Sequence, residues 1–303
     1  MTHDGNFIPP RRPGVPEAEI NIDVDLVQRL VASERPDLAT LPISLLGSGW
    51  DNVMMRLGSD LLIRIPRREV GGILIEREQR WLPQIAADLP IPAPIPIHCG
   101  EPTSFFPWKW SLLPWIDGLT AADEELDGSD AVRFGRFLRE LHRPAPENAP
   151  KNSFRGIPLL DRDEGIRERM ERPRVANEIS EEARAVWTAG VSAAPTNERV
   201  WLHGDLHTRN VLVADGSIAA VIDWGDLTAG DPANDGAAIW MLYSRPEDRV
   251  RALEAAGRAD DEAFIARSRA WGILFGVTML DAGAINDPSL ADVGRAILAN
   301  VVS

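Results

Sequence analysis

The stretch that decides the fold reads His203-Gly204-Asp205-Leu206-His207-Thr208-Arg209-Asn210, then an apolar run, a turn at Asp215-Gly216, a second apolar run, and Asp223-Trp224-Gly225. Asn210 follows Asp205 by five positions and Asp223 follows it by eighteen. The two apolar runs, residues 211–213 and 219–222, predict a β-hairpin. Such a hairpin returns the chain, so we expect Asp223 to end beside the loop that carries Asp205 and Asn210.

These three side chains bring two carboxylates and one amide oxygen together. Hard oxygen donors of this kind suit Mg²⁺, which binds through one or two carboxylates and the phosphates of a substrate. Kinases use the same set: an Asp that accepts the proton of the substrate hydroxyl, an Asn five residues on that binds metal, and a later Asp before Gly that binds metal too. The alternative is a pair of surface loops in which Asp and Asn only form turns.

The segment resembles the aminoglycoside phosphotransferase family, a group of protein-kinase-like small-molecule kinases. The motifs that carry the resemblance are His-Gly-Asp-Leu-His from residue 203 with Asn210 after it, Ile-Asp-Trp-Gly-Asp over residues 222–226, and Gly-Asp-Pro-Ala over residues 230–233 with Asp235 after it. The resemblance covers about residues 20 to 300. Its motifs are specific in the second half of the chain and moderate in the first.

The resemblance implies an α+β, protein-kinase-like bilobal fold, with an antiparallel sheet and a helix in the N-lobe and a mostly helical C-lobe. The domains expected are a flexible tail (1–18), a nucleotide-binding N-lobe (19–113) and a catalytic and acceptor-binding C-lobe (114–303). Apolar periodicity agrees. It predicts strands at 43–46, 53–57 and 61–65, and later helices at 131–142, 162–171, 180–189, 233–243, 247–256, 261–281 and 289–301.

The resemblance also assigns roles in the C-lobe. Asp205 is the expected catalytic residue, which orients the acceptor hydroxyl and accepts its proton, while Asn210 and Asp223 hold Mg²⁺ beside ATP or GTP. Structural support is expected from His203, which steadies the loop, and from Asp231, which anchors it through backbone hydrogen bonds. Asp235 could do that second job instead.

A further C-lobe candidate is Asp226, which follows the metal-binding Asp by three residues. It could bind an amine of the substrate, or it could cap a turn. Asp161, Asp163 and Glu164 open a helix in the region where the family binds its acceptor, although acidic residues at a helix start are usually explained by the helix dipole.

In the N-lobe, Gly47-Ser48-Gly49 lies between two predicted strands. It is either a tight turn or the start of a phosphate-binding loop, whose third glycine position is taken by Asn52. Asn tolerates the left-handed backbone better than most residues. We therefore expect Ser48, Gly49 and Asn52 to bind the nucleotide, with backbone N–H groups facing its phosphates.

The strand over residues 61–65 should carry a phosphate-binding lysine, but the chain has only two lysines, Lys109 and Lys151, and neither lies there. Arg64 stands in that place. Arg64 either binds phosphate, for which a guanidinium is well suited, or lies on a solvent-exposed face of the strand without a functional role. Its expected partner is Glu78, with Glu76 as the rival; the two point to different helix faces, so only one can serve.

Three tryptophans, Trp108, Trp110 and Trp115, lie around the connector between the lobes. The resemblance places the nucleotide-binding hinge at residues 113–115, so Leu113 and Trp115 are candidate nucleotide contacts through their backbone groups. The tryptophans could equally be core residues, which is the interpretation we favour for their side chains.

The composition limits the partners. The net charge of −14 argues against a general nucleic-acid or anionic-membrane binder and tips the acceptor slightly toward a cationic molecule. Cys99 is the only cysteine, which excludes an intramolecular disulfide and a thiolate zinc site and fits a reducing, cytoplasmic compartment. The longest apolar run, residues 271–280, is shorter than the roughly 20 residues that span a bilayer.

The predicted function is transfer of the γ-phosphoryl group of ATP or GTP to a hydroxyl of a small molecule, such as an aminoglycoside-type antibiotic. One alternative is a kinase for a macrolide or for a metabolite of the choline, homoserine or methylthioribose type. Another is a nucleotide-binding pseudokinase, which loss of the lysine favours and retention of Asp205, Asn210 and Asp223 disfavours. The sequence leaves the oligomeric state open.

Overall fold

The computed structural model describes residues 17–303, so the predicted tail (1–18) lies outside the described residues except for its last two. The chain divides into two compact units. The first ends at Gln84 and resumes over Pro94–Ile116, and the second comprises Ile85–Ala93 and Asp117–Ser303.

The first unit is built on a five-stranded antiparallel sheet with strand order β1-β2-β3-β5-β4. Its strands are β1 (Ile43–Ser48), β2 (Asn52–Leu57), β3 (Leu61–Pro66), β4 (His98–Gly100) and β5 (Trp110–Pro114), and its helices are α1 (Val24–Glu34) and α2 (Glu69–Ala86). The last two residues of α2 fall in the second unit.

The core of the first unit lies between α1 and the sheet. The α1 helix begins after Asp23, whose carboxylate accepts from the backbone N–H of Leu26 at 2.8 Å and caps the helix. Its apolar residues recur at helical spacing, so one face is buried against alternate residues of β2 and β3. The buried members of this cluster are Val27, Leu30, Val31, Val53, Met55, Leu57, Ile63, Ile65, Phe106, Trp110 and Leu112.

The second unit is mostly helical. Its helices are α3 (Ala131–Leu141), α4 (Asp163–Met170), α5 (Glu181–Ser192), α6 (Ala233–Gly236), α7 (Ala238–Leu242), α8 (Pro246–Ala256), α9 (Glu262–Asn286) and α10 (Pro288–Val302). Its strands are β6 (Leu119–Thr120), β7 (Val200–Leu202), β8 (Val211–Ala214), β9 (Ser217–Val221) and β10 (Thr228–Gly230). The helix predicted over 233–243 is therefore two short helices, α6 and α7.

The α9 helix forms the centre of the second unit. It packs against α5, α6 and α10, and apolar residues surround it on most sides, as expected for a helix without a solvent-facing stripe. Although it runs for 25 residues, no helix in the described part of the chain combines the length and the apolar character needed to cross a bilayer.

Two small antiparallel sheets position the polar loops of the second unit. The first has the order β6-β8-β9, and the predicted hairpin is its β8–β9 pair, with Val211 opposite Val221. Asp215 and Gly216 connect these strands with φ values of 51° and 73°, the left-handed turn that matches the twist of a two-residue hairpin. In the second sheet β7 pairs with β10, so the loop after β7 lies beside the segment that leads into β10.

Candidate active site

Asp205 lies in the loop directly after β7, where the backbone turns sharply. Gly204 has a φ of 87°, and a Cβ on it would lie 2.5 Å from the backbone oxygen of Asp226, so only glycine fits there. The Asp205 carboxylate forms an ion pair with Arg155 through Oδ1 and lies 3.3 Å from Nε2 of His207 through Oδ2. Both carboxylate oxygens therefore have partners.

Asn210 lies beside Asp205, as its spacing predicts. It ends a short turn (Thr208–Asn210) that leads into β8, and its Nδ2 donates to the backbone oxygen of Asp205 at 2.9 Å. The same nitrogen lies 3.4 Å from Oδ2 of Asp205. These bonds fix the orientation of the amide and leave its oxygen as the atom that a cation would meet.

The hairpin returns the chain to Asn210. The backbone N–H of Ile222 donates to the backbone oxygen of Asn210 at 2.9 Å, so Asp223 begins next to the metal-binding candidate of the loop. Asp223 itself has φ 61° and ψ 65°. A left-handed non-glycine residue stores strain, and such residues concentrate at functional sites.

The donor set fits Mg²⁺ better than a cation held entirely by protein. Within residues 17–303 no group of three or more His, Cys, Asp or Glu side chains is arranged to hold a metal ion. The candidate site instead offers one amide oxygen and the Asp223 carboxylate. Mg²⁺ keeps few protein ligands when phosphates and water complete its shell, so Asn210 and Asp223 are sufficient protein donors for it.

The charges around Asp205 keep it ionised. Burial raises the pKa of the Asp205 carboxyl, but the Arg155 guanidinium and then His207 lower it more, and the pKa lies well below its usual range. A carboxylate with so low a pKa is a weak proton acceptor, although it still orients a hydroxyl group by accepting its hydrogen bond. That suits phosphoryl transfer, in which positioning contributes more than proton removal.

Arg155 is the functional candidate that the sequence reasoning missed. It belongs to a connecting segment, residues 150–156, that is tied to the loops around Asp205 at several points. Asn152 donates to Oδ1 of Asp226 at 2.7 Å, and Gly156 N–H donates to Oδ1 of Asn234 at 3.1 Å. The Arg155 guanidinium also lies 4.7 Å from the ring centre of Phe275. No periodicity marks this segment, so nothing local points to the contact.

His203 is a supporting residue by its contacts. It is fully buried, its Nδ1 accepts from the backbone N–H of Asp205 at 3.2 Å, and its Nε2 lies 2.9 Å from the backbone oxygen of Ile222. The His203 ring thus links the Asp205 loop to the end of the hairpin through both of its nitrogens.

The anchoring role expected of Asp231 belongs to Asp235, the alternative that the sequence left open. Asp235 is fully buried and accepts from the backbone N–H groups of His203 at 2.7 Å and Gly204 at 3.0 Å. Asp231 instead binds the guanidinium of Arg267, with 2.8 Å from Nε to Oδ2, and caps the backbone at Ala233. Only the later carboxylate lies within α6, whereas Asp231 lies before the helix begins.

Asp226 does not cap a turn. Its carboxylate accepts the Asn152 bond described above, and burial followed by the negative charge of Asp205 raises its pKa. The two carboxylates therefore belong to one electrostatic cluster in the second unit, which places Asp226 near the proposed catalytic residue.

In the first unit the structure decides between the two glutamates. Arg64 donates from Nη1 to Oε2 of Glu78 at 2.6 Å, and both side chains are almost fully buried, whereas Glu76 is exposed. With its amide oriented so that the oxygen faces Arg64, Asn52 accepts from Nη2 and Nε at 3.2 Å each. Asn52 therefore contributes its side chain to the arginine, and its backbone does not adopt the left-handed form.

The glycine-containing turn after β1 is tied to the end of β3. Arg67 donates to Oγ of Ser48 at 2.8 Å and to the backbone oxygen of Gly49 at 3.3 Å, while Gly49 N–H donates to the backbone oxygen of Asn52 at 2.8 Å. A Cβ on Gly47, in β1 just before the turn, would meet no atom within 4 Å, so the strand is open on that side. The turn itself is held in a fixed shape by Arg67 and Asn52.

The hinge candidates differ from one another. Leu113 is buried in β5 opposite Leu62 of β3. Trp115 N–H donates to the backbone oxygen of Asp60 at 2.8 Å, and its ring lies 3.6 Å below the guanidinium of Arg56. Of the three tryptophans, Trp110 lies in the core, as we expected for all three. Trp108 is partly buried against that core, and Trp115 is not part of it.

Comparison of the sequence with protein-family models shows to which family the chain belongs. The model of the phosphotransferase enzyme family (APH) matches residues 42–271, about three quarters of the sequence. The chain belongs to the phosphotransferase enzyme family. It is a kinase-type phosphotransferase, and the family predicted from the motifs is confirmed. A search of curated proteins gave no significant match.

Solved structures show the same fold at low identity. The GDP complex of aminoglycoside 2'-phosphotransferase-IIIa is 18% identical and covers 93% of this phosphotransferase and 99% of its own chain, with a TM-score of 0.68. Macrolide 2'-phosphotransferase MphH from Brachybacterium faecium is 21% identical, with coverages of 88% and 99% and a TM-score of 0.59. The AMP-PNP and hygromycin B complex of aminoglycoside phosphotransferase APH(4)-Ia is 15% identical, with coverages of 91% and 97% and a TM-score of 0.59. These matches confirm the expected protein-kinase-like α+β fold class.

Proposed function

We propose that this phosphotransferase moves the γ-phosphoryl group of ATP or GTP to a hydroxyl of a small molecule. The observation that carries the proposal is the arrangement in the second unit, where Asn210 is hydrogen-bonded to Asp205 and the hairpin brings the chain back to Asn210 just before Asp223. Structural neighbours in complex with GDP and AMP-PNP support a nucleotide as donor.

Asp205 orients the acceptor in this proposal. The acceptor oxygen forms a bond to the γ-phosphorus while the bond from that phosphorus to the β–γ bridging oxygen breaks. The nucleoside diphosphate leaves, and the proton of the acceptor hydroxyl passes to the Asp205 carboxylate. The low pKa of Asp205 means that this proton moves late, after most of the phosphorus–oxygen bond breaking, as in a loose transition state.

Asn210 and Asp223 are the residues proposed to hold Mg²⁺. When bound, this ion would neutralise charge on the β- and γ-phosphate oxygens. The chain's own contribution there is rigidity, because the Asn210 amide is fixed by Asp205 and the Asp223 backbone is fixed in its left-handed form.

The first unit supplies the proposed nucleotide contacts. We assign nucleotide binding to an N-lobe of residues 19–113 and catalysis and acceptor binding to a C-lobe of residues 114–303, with the hinge residues Leu113 and Trp115 on either side of that boundary. Arg64 would bind nucleotide phosphates, since Glu78 and Asn52 fix its guanidinium from two sides. Ser48 and Gly49, in the turn that Arg67 holds, would adjoin the same phosphates, and the backbone at Leu113 and Trp115 would meet the base.

The test is release of ADP or GDP in the presence of Mg²⁺ and a panel of alcohols that includes aminoglycosides, macrolides and hydroxyl-bearing metabolites. Asp205→Asn should abolish transfer and leave nucleotide affinity within about twofold, because it removes the charge but keeps the shape. The matched control is Asp260→Asn, an exposed carboxylate on the loop after α8. Near-normal transfer by Asp205→Asn would refute the role of Asp205. Nucleotide binding by the wild type without turnover on any acceptor would favour the pseudokinase.

A further inference from the structure

Arg162 is a half-buried cation without a counter-ion. It precedes α4, its Nε is buried without a hydrogen-bond partner, and no carboxylate between residues 17 and 303 forms an ion pair with it. Its guanidinium lies 5.1 Å from the ring centre of Phe154. Burial of an unpaired charge is costly, so such a cation is expected to have a partner that comes from outside the chain.

Arg162 belongs to the surroundings of Asp205. Phe154, the ring that it covers, directly precedes Arg155, which forms the ion pair with Asp205. Burial lowers the pKa of the Arg162 guanidinium, and the positive charges of Arg155 and then Arg169 lower it further. Through Phe154, Arg162 therefore adjoins the segment whose next residue pairs with the carboxylate that orients the acceptor.

Apart from Asp205, which pairs with Arg155, the carboxylates of this region do not compensate Arg162. Asp163 accepts from Arg167 and from Trp187 Nε1, both at 2.7 Å. Asp281 is bound by three other arginines, Arg169, Arg172 and Arg174. The exposed side chains of Asp161 and Glu164 form no ion pair with Arg155 or Arg162. The charge of Arg162, unlike that of Arg155, thus has no carboxylate partner among the described residues and is left to a ligand.

The same segment exposes apolar surface. The side chain of Phe154 is 61% exposed and that of Leu160 is 69% exposed. Large apolar residues so exposed within eight positions of each other, next to two arginines, form a surface that suits a ligand with an apolar part and a negative charge.

We propose that Arg162, which lies next to the Arg155–Asp205 ion pair, binds an anionic group of the acceptor, a carboxylate or a phosphate monoester, close to the hydroxyl that Asp205 orients. Phe154 and Leu160 contact the apolar part of the same molecule. This inference rests on the proposed phosphotransfer, and it names the class of acceptor. It argues for an anionic acceptor where the net charge of the chain suggested a cationic one, because salt screens charges beyond about 8–10 Å and only the local charge meets the ligand.

The test uses matched acceptors. Each hydroxyl-bearing scaffold is offered as its carboxylate, its phosphate monoester, its amide and its amine. Two quantities are measured for each compound: kcat/KM from MgATP-dependent ADP release, and affinity from calorimetric titration without nucleotide. On at least one scaffold an anionic form should exceed the amide by about tenfold or more in both, and the amine should be the poorest. The carboxylate and phosphate arms show which anion the site takes.

Variants tie the preference to the arginine. Arg162→Gln should remove the preference for the anion, and Arg162→Lys should restore part of it. The matched control is Arg184→Gln, which removes an arginine from α5 whose partner is the exposed Glu171, and it should retain the full preference. Arg162→Gln should also leave nucleotide affinity unchanged, which separates it from a folding defect.

Each result decides one of the two proposals. Amides or amines that bind and react as well as the anions, or an anion preference that survives in Arg162→Gln, would overturn the acceptor inference and leave phosphotransfer standing. Selective anion binding without turnover on any compound would support the anion site and refute the proposed phosphotransfer. Failure of every anionic compound to bind would overturn the inference.

Discussion

Replacement of Arg155 by glutamine should change the pH dependence of the reaction. In the wild type Arg155 is the largest of the influences that lower the pKa of Asp205, and both side chains are about one-fifth exposed, at 20% and 21%. At that exposure an effective dielectric of roughly 20 applies, and a guanidinium in contact with a carboxylate lowers its proton affinity by about tenfold to a thousandfold.

The sign follows from which form of Asp205 is active. Only the ionised carboxylate accepts the hydrogen bond of the acceptor hydroxyl, so the rate falls when Asp205 is protonated. Because the pKa lies well below its usual range, the wild-type rate should show no fall from this group down to about pH 5. Without Arg155, burial still raises the pKa and only the weaker influences of His207 and His203 oppose it, so the acid limb should move to higher pH.

The assay is the pH–rate profile of kcat/KM for the acceptor, with nucleotide affinity measured at each pH. The loss of activity from neutral pH to about pH 5 should be about fivefold or more greater in Arg155→Gln than in the wild type. Arg155→Lys should give an intermediate profile, and Arg184→Gln should match the wild type. A superimposable profile for Arg155→Gln, or an acid limb displaced to lower pH, would refute the electrostatic role of Arg155.

Three other substitutions test the remaining parts of the site. Glu78→Gln should raise the nucleotide KM by about tenfold, because Arg64 loses its buried partner, whereas Glu76→Gln should leave the KM unchanged. Steady-state kinetics measures both, and equal KM values for the two variants would show that the Arg64–Glu78 pair is unimportant. Asp235→Ala should lower the free energy of unfolding by about 2–5 kcal/mol in urea titrations, because two backbone N–H groups lose a buried acceptor, and a loss under about 1 kcal/mol would contradict the anchoring role. Asp223→Gly should be about 1 kcal/mol more stable than Asp223→Ala, since glycine adopts the left-handed backbone freely, yet both should lose Mg²⁺-dependent transfer.

The site residues that could be predicted from the sequence are those joined by short chain paths. Asp205 and Asn210 meet because a five-residue loop connects them, and Asp223 returns through a two-stranded hairpin with a turn that its own residues specify. Local turn chemistry and strand alternation are sufficient for such contacts.

The spacing left two choices open, Glu78 or Glu76 and Asp231 or Asp235, and helical phase explains the first of them. Ile75, Glu78 and Leu82 share the buried face of α2, so Glu78 faces the sheet and Glu76 faces solvent. This was readable from the apolar period of the helix. The choice between Asp231 and Asp235 has no such basis, because α6 has only four residues and begins after Asp231.

The contact between Arg155 and Asp205 belongs to another class, because the two residues lie fifty positions apart. Arg155 lies in a segment without apolar periodicity. Its neighbour Gly156 donates its N–H to the side-chain oxygen of Asn234 and accepts from the N–H of Asp231, the residue that follows β10. Elements of two or three residues, such as β6 and β10, carry too little pattern to be found in a sequence. Long-range contacts made by irregular backbone are therefore where sequence reasoning fails.

This failure has a consequence for the substrate. The net charge counts every charged residue equally. A ligand at Asp205 interacts strongly only with charges within about 8–10 Å of it, because salt screens the others. In this chain Asp163, Asp205 and Asp281 already bind other arginines, and Arg162 has no carboxylate partner within the described residues. A protein with a net charge of −14 can thus hold an arginine without a carboxylate partner near its reacting carboxylate. The pairing of individual arginines, which only the fold reveals, is therefore the better guide to the charge of the acceptor.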